Sequence, residues 1–446
     1  MSKLSNIYNL SLLWIVFTAT VPFVFYLAIP NLPGKLIVAV GIALMSCGFI
    51  IREKITTGDP IIVTILMIQI IYSFIATFLH ELFFLGLETL YINMAIQHIA
   101  VMIVYLYIKS FYSVLKVGKS TVYIMAIMGI LGVLAFFLGV AGLLSVKSYW
   151  VREDDSVGFN FMLTFSNTVD FLGDALIIRI AGFFDEPGTF AFYITFALLT
   201  NKLYKYSKKL EILLILTGLF TLSLAFYITL VFYFVLFYRS IRHFKKILLA
   251  ILSILAVAYY IDASQNESEI NSIIYIRTIG RLQLESSGSG KVITGDNRSY
   301  LIINTLDAFI KSPIIGHGFS SQNNPRSEFY NIALGANLLT PLALHGLLGT
   351  IFLFMHYFYF SFIVLIRQKR IERNSFAAWV IVTINLFQRP NVFGGLYAYF
   401  VIIILIEATK DWIATHRNLS MVEKCSTQPL GGYSLKGANG IFLSFS

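Results

Sequence analysis

The sequence predicts an all-α, polytopic integral membrane protein with about 12 transmembrane helices and two long outward loops. Three observations carry this. Of the 446 residues, 57% are hydrophobic and 13% charged, too apolar for a soluble protein of several ordinary domains. Runs such as Leu12–Ile29 and Ile61–Leu79 each supply the roughly 20 apolar residues that a helical span needs, and such runs recur along the chain. Short loops rich in lysine and arginine alternate with loops poor in both, the charge pattern of a chain threaded through a bilayer.

In chain order, Lys3 precedes a long apolar run with no small-residue cleavage site, which reads as a retained first span. The basic clusters are Arg52 and Lys54; Lys109, Lys116 and Lys119; Lys202, Lys205, Lys208 and Lys209; Arg239, Arg242, Lys245 and Lys246; and Arg367, Lys369, Arg370 and Arg373. They mark cytoplasmic loops. The alternate loops "PNLPGK" after Ile29 and "LHELFFLGLE" from Leu79 to Glu88 face outward. Two outward loops stand out by length, one from about 146 to 187 and one from about 262 to 342. The chain thus divides into a membrane domain, 1–413, and a polar, Gly/Ser-rich cytoplasmic tail, 414–446, whose composition is that of a disordered segment. Both termini fall on the cytoplasmic side.

The stretch from Ile212 to Tyr238 tests this scheme. It is too short for two full spans at 1.5 Å per residue, yet basic clusters at both ends demand the same side. Two short or broken helices turning near Thr221–Ser223 resolve the conflict; a single long helix with a flipped second half is the alternative. Backbone broken at membrane depth requires surrounding protein or a water-filled cavity.

Composition also excludes functions. The formal charge of +10 could suggest nucleic acid, but orientation rules already account for the basic loops, so no nucleic-acid partner is expected. Cys47 and Cys425 define no disulfide framework. No Walker-type loop, Gly-x-Ser-x-Gly elbow or His-Glu-x-x-His sequence is present. The "REDDS" segment, Arg152–Ser156, has adjacent carboxylates without histidine or cysteine at ligand spacing, so a solvated loop is expected and no metal. Charge within the spans is scarce, unlike a proton-coupled pump.

The outward loops carry the candidate chemistry. The second contains Arg277, Arg281, Lys291, Arg298, Lys311 and Arg326; the first contains Lys147, Arg152 and Arg179. Orientation rules do not require arginine there, and an anionic ligand at the membrane surface would. In "GDNRSYLIINTLDAFIKSP", Asp296 or Asn297 can cap a helix whose apolar residues Ile302, Leu306, Phe309 and Ile310 share one face, and Pro313 ends it. Such a helix lies in the membrane interface with Arg298 in its first turn, where backbone N–H groups favour anions; snorkelling to lipid phosphates would serve equally. His317, between Gly316 and Gly318, can act as a proton acceptor or stand as a solvated loop histidine. Pro187 at the first helical position, with Glu186 or Asp185 as cap, accounts structurally for "DEPG". A carboxylate near an arginine also keeps Glu186 among the base candidates.

The stretch R-x-x-G-x-F-x-E-P-G, Arg179–Gly188, together with Arg298 and the "SPIIGHGF" segment, Ser312–Phe319, resembles bacterial O-antigen or capsular repeat-unit polymerases of the Wzy type. The resemblance implies an enzyme of the bacterial inner membrane that joins oligosaccharide units on undecaprenyl pyrophosphate at the periplasmic face. It implies Arg179 and Arg298 as pyrophosphate-binding residues, with Arg277 and Arg281 as weaker candidates, and His317 or Glu186 as catalytic base. No nucleotide sugar, cofactor or metal is implied; membrane lipids and a protein that sets chain length are the further partners it suggests. The related O-antigen ligases show a His-Asn or similar pair ahead of Gly-x-x-Gly. Here Gly346 and Gly349 stand in "HGLLG", but Gly335 occupies the position of that histidine. This departure favours polymerase over ligase. A lipid-linked oligosaccharide flippase or other transporter is the alternative class, though it would favour polar groups within spans and short outer loops.

Overall fold

The computed structural model describes residues 56, 58–84, 89–140, 143, 148–151, 157–160, 164–172, 175–182, 184, 186–238, 284–287, 290–293, 298–318, 321, 324, 327–330, 334, 339–366, 373–388 and 401–411. Every structural statement below concerns these residues. The predicted first span, Arg277, Arg281 and the tail lie outside them.

The described chain is mostly helical. Helices α1 (Pro60–Phe84), α2 (Thr89–Phe111) and α3 (Val114–Val140) are followed by strands β1 (Ser148–Val151), β2 (Val157–Asn160), β3 (Phe165–Leu172) and β4 (Ala175–Gly182). Next come α4 (Pro187–Tyr204), α5 (Lys208–Phe220) and α6 (Leu224–Phe237), then the hairpin β5 (Leu284–Ser287) and β6 (Gly290–Ile293). Helices α7 (Arg298–Lys311), α8 (Thr340–Leu353), α9 (Met355–Ile366) and α10 (Arg373–Gln388) precede α11, residues 401–411. By length and composition, three helices can cross a membrane: Pro60–Leu82, Tyr91–Phe111 and Lys116–Leu138. The pair α8–α9, bent by 48°, can supply a fourth span.

Helix α1 shows why these helices belong in lipid. Its exposed face is the apolar stripe Met67, Ile71, Phe74, Phe78 and Leu82, while Gln69, Ser73, Thr77 and His80 are buried along the opposite face. The arrangement is a soluble helix turned inside out, which only a hydrocarbon solvent stabilises. Ser73 and Thr77 donate to the carbonyls of Gln69 and Ser73, one turn back, and Gln69 Nε2 donates to Phe352 O (2.8 Å) and Leu353 O (3.3 Å) at the break between α8 and α9. Backbone that the bend frees is thus satisfied by α1.

Helix α4 is the core of the second half. All residues from Phe190 to Asn201 are buried, as expected of a helix enclosed on every side by protein. It starts as the sequence predicts, with Pro187 at the first helical turn and Glu186 at the N-cap position, although no side chain makes a capping hydrogen bond.

The broken hairpin predicted between Ile212 and Tyr238 is present. Helices α5 and α6, of 13 and 14 residues, span about 20 Å each and fall short of a bilayer's roughly 30 Å. They turn at Thr221–Ser223, with Leu222 at φ +47°. Gly218 admits the Phe226 ring, and Gly129 of α3 admits Thr217; a Cβ at either position would come within 2.0 or 2.4 Å of those side chains.

The segment predicted as the first long outward loop departs from an all-α chain. It folds as a four-stranded antiparallel meander in the order β1-β2-β3-β4, and its last strand packs on α3, where Ile180 meets Gly132.

Two buried acid clusters fix the opposite end of the bundle. Glu407 accepts from Tyr105 (2.8 Å) and Lys109 (2.9 Å), and Asp59 pairs with Lys410. Glu211 accepts from Lys202 (3.2 Å), Tyr233 (2.5 Å) and Tyr238 (2.5 Å). Tyr204 and Ile404 pack with Tyr107 and Val117, so the basic clusters at 109–119 and 202–209 gather at one end, as the charge pattern predicts.

Candidate functional site

At the other end, two glycine-rich segments meet. Helix α7 begins at Arg298 and ends at Lys311, with Ile302, Leu306 and Ile310 exposed and Thr305 and Ala308 buried. Thr305 Oγ1 donates to Leu334 O (3.2 Å), so the helix is anchored on its polar and small-residue side and leaves its apolar side outward. This is the geometry of an interfacial helix. Past Lys311 the chain folds back, with Ser312 Oγ donating to Gly316 O (2.9 Å) and Gly316 N to Ser312 O (3.1 Å).

The loop then lies along a break in α8. Gly346 interrupts that helix with φ +64° and ψ −172°, a conformation open essentially to glycine alone. His317 N donates to Ala343 O (3.0 Å), Gly318 N to Leu344 O (2.9 Å), Leu347 N to Pro313 O (2.8 Å) and Leu348 N to Ile314 O (3.1 Å). The orphan groups of the broken helix are therefore paired with the loop. A Cβ on Gly316 would come 2.4 Å from Gly346 N, and one on Gly346 would come 2.3 Å from Ile314 O. Gly346→Ala is expected to destabilise the protein by at least about 1–3 kcal/mol from backbone conformation alone, and to prise the segments apart. A lowered thermal midpoint of the detergent-purified variant is the check.

Three histidines converge at this junction. His317 is fully buried and stacks on Phe329, with ring centroids 4.6 Å apart. Its Nδ1 lies 2.7 Å from Gly318 O and 2.9 Å from Ser321 Oγ. A carbonyl can only accept, so Nδ1 carries the hydrogen, and the lone pair of the neutral form lies at Nε2. His345, immediately before Gly346, places Nδ1 2.8 Å from the Tyr91 hydroxyl. His80 Nε2 lies 3.1 Å from Ile315 O, and its ring lies 4.9 Å from that of Tyr91. His80 and His317 are both neighbours of His345. Among the described residues these groups form no metal-ligating cluster.

Two further predicted site residues, Arg179 and Glu186, belong to the β4–α4 unit. Arg179, on β4, donates through Nε to Thr221 O (3.1 Å) and through Nη2 to Leu222 O (3.2 Å). Thr221 Oγ1 donates to Gly218 O (2.6 Å) and Tyr227 OH to Leu219 O (2.9 Å). Arg179 thus helps satisfy the carbonyls that the broken hairpin exposes. Charge-assisted bonds of this kind contribute about 1.5–3 kcal/mol each, less where water reaches the half-buried guanidinium. Arg179→Ala is expected to lower the melting temperature measurably, and Arg179→Lys to restore little, because an ammonium lacks the fork that spans two carbonyls. A variant that melts normally would remove this structural role and return Arg179 to the ligand-binding candidates. Glu186 stands at the start of α4. Arg298 is the first residue of α7.

Sequence reasoning missed His80 and Tyr91. The signal that could have found His80 is its place in the buried polar series Gln69, Ser73, Thr77, His80 on an otherwise apolar helix; for Tyr91 there was none.

Fold and site together define a helical membrane protein whose polar, histidine-lined site lies at the end opposite its basic loops. Residues 210–345 match the family model of the O-antigen ligases, Wzy_C. The match supports the resemblance to the O-antigen polymerase and ligase superfamily. It runs from the start of the broken hairpin to His345, taking in Arg277, Arg281, Arg298 and His317 and leaving out Arg179, Glu186, His80 and Tyr91. No curated protein sequence matches the chain significantly.

Proposed function

We propose that the protein is a polymerase of undecaprenyl pyrophosphate-linked oligosaccharide repeat units, acting at the periplasmic face of the bacterial inner membrane in O-antigen or capsule synthesis. The observation that carries this is the junction of the "SPIIGHGF" and "HGLLG" segments, which sets three histidines together at a helix break, largely within the stretch that matches the superfamily. The reading keeps about 12 crossings with both termini cytoplasmic.

In this reaction a hydroxyl of the acceptor unit attacks the anomeric carbon of the growing glycan. The bond from that carbon to the pyrophosphate oxygen breaks, undecaprenyl pyrophosphate leaves with the electron pair, and the hydroxyl proton passes to His317 Nε2. The base must come within hydrogen-bond reach of that hydroxyl; His317 is fully buried, so the groups that cover Nε2 have to move first. Charge grows on the leaving pyrophosphate as the bond breaks, and guanidinium groups placed there stabilise the transition state more than the ground state. Arg298 takes that role, with Arg277, Arg281 and Arg179 as further candidates. Glu186 is the competing base. A protein that sets chain length is a partner suggested by the resemblance alone.

A ligase that transfers the finished glycan to lipid A core is the second reading, favoured by the description of the matching family. Purified protein in liposomes with native lipid-linked units, without nucleotide sugar or metal, is expected to yield a ladder of lengths on a gel. Transfer only when lipid A core is added would establish the ligase. Units that cross the bilayer unjoined would establish a flippase.

A further inference from the structure

We propose that His80 and Tyr91, on helices outside the family-matched stretch, are positioning residues of the histidine site: His80 fixes the loop carrying His317, and Tyr91 fixes His345. This rests on the transferase reading above. His80 lies near the end of α1 and Tyr91 near the start of α2; both are at most 1% exposed, and their rings are 4.9 Å apart.

Each reaches a different strand of the junction. His80 Nε2 is 3.1 Å from Ile315 O. A carbonyl only accepts, so His80 donates, and its acceptor lies two residues before His317. The Tyr91 hydroxyl is 2.8 Å from His345 Nδ1, and His345 follows directly on Ala343 and Leu344, whose carbonyls hold the backbone of His317 and Gly318. His80 is thus linked to His317 by one hydrogen bond and the two residues of backbone from Ile315, and Tyr91 by its bond to His345, the backbone back to Ala343 and one further hydrogen bond. The α1–α2 hairpin also grips α8 through Tyr72, which stacks on Phe352 at 4.4 Å and leaves no room for a Cβ at Gly349.

Apolar side chains would close this hairpin against α8 without the cost of burying an imidazole and a phenol. The polar pair instead directs hydrogen bonds at the two segments that shape the site. A displacement of about 1 Å in a reacting group can cost on the order of 100-fold in rate, so losing these bonds should slow the chemical step and leave substrate capture largely intact.

The test uses full-length protein in proteoliposomes with lipid-linked units, comparing Tyr91→Phe, His80→Leu and His80→Gln with the wild type. Tyr91→Phe and His80→Leu are expected to lower kcat by roughly 10–100-fold, with KM for the lipid-linked donor within about threefold. His80→Gln keeps an amide N–H that can reach Ile315 O and is expected to recover to within about fivefold of wild type. If His80→Leu fails to insert, Tyr91→Phe carries the test alone, because it keeps the aromatic packing and removes one hydroxyl. Wild-type kcat in Tyr91→Phe and His80→Leu, a loss confined to KM, or His80→Gln no better than His80→Leu would each overturn the assignment. Wild-type protein that transfers glycan to neither a lipid-linked unit nor lipid A core would overturn the transferase reading, and this one with it, before any variant is compared.

Discussion

Replacing His317 with alanine is expected to slow glycan transfer by about 10²–10⁴-fold, the usual contribution of a positioned general base, without removing the protein from the membrane. The loop that carries the residue is held by its backbone: the N–H groups of His317 and Gly318 bond to Ala343 and Leu344, and the carbonyls of Pro313 and Ile314 accept from Leu347 and Leu348. None of these bonds depends on the imidazole. What alanine removes is the ring, its stacking on Phe329 and the Nε2 lone pair that the Nδ1–H···O=C bond to Gly318 fixes in place. The stability cost is that of a buried ring, whereas the rate cost is that of a missing proton acceptor. Single-turnover transfer in proteoliposomes, measured beside the thermal midpoint, separates the two. Glu186→Gln run in parallel decides between the candidate bases: a severe loss there with a mild one in His317→Ala would reassign the role.

The sequence exposes those parts of the molecule whose cause is local. A run too short for two spans but basic at both ends forces a break, and the turn falls at Thr221–Ser223 as predicted. Apolar spacing and Pro313 delimit α7, and Pro187 starts α4. The sheet formed by β1–β4 escaped because strands such as "SYWV" and "VGFN" are four residues long, and in so apolar a chain their alternation does not stand out from the background. Arg179 was read as a ligand clamp from its motif. Its bonds to the Thr221 and Leu222 carbonyls lie 42 and 43 positions along the chain, a pairing that no local rule foresees. The same applies with more force to the site. His80 and Tyr91 find their partners 235 and 254 residues away, so a histidine and a tyrosine on apolar helices acquire meaning only once the Ile315 loop and α8 are packed against them.

Arg298→Ala is expected to abolish polymer formation, lowering the transfer rate by about 10²–10³-fold, equivalent to about 2.7–4 kcal/mol of transition-state stabilisation. Arg298 opens α7, where the backbone N–H groups of a helix start and the positive end of the helix dipole favour an anion. A pyrophosphate there would be met by backbone donors and a guanidinium together. The competing role, snorkelling to lipid phosphates, predicts a different result: an interfacial arginine contributes to how α7 sits in the membrane, and lysine would replace it almost fully. A clamp on a leaving pyrophosphate needs paired donors in a fixed plane, so Arg298→Lys should recover only a fraction of the rate. The kinetic split is also diagnostic. Charge builds on the leaving group as the glycosidic bond breaks, so the loss should fall mainly on kcat, while a lipid-anchoring role would change insertion or KM. Normal polymer from a well-inserted Arg298→Ala protein would remove Arg298 from the site and transfer the search for the clamp to Arg277 and Arg281, in the same predicted loop.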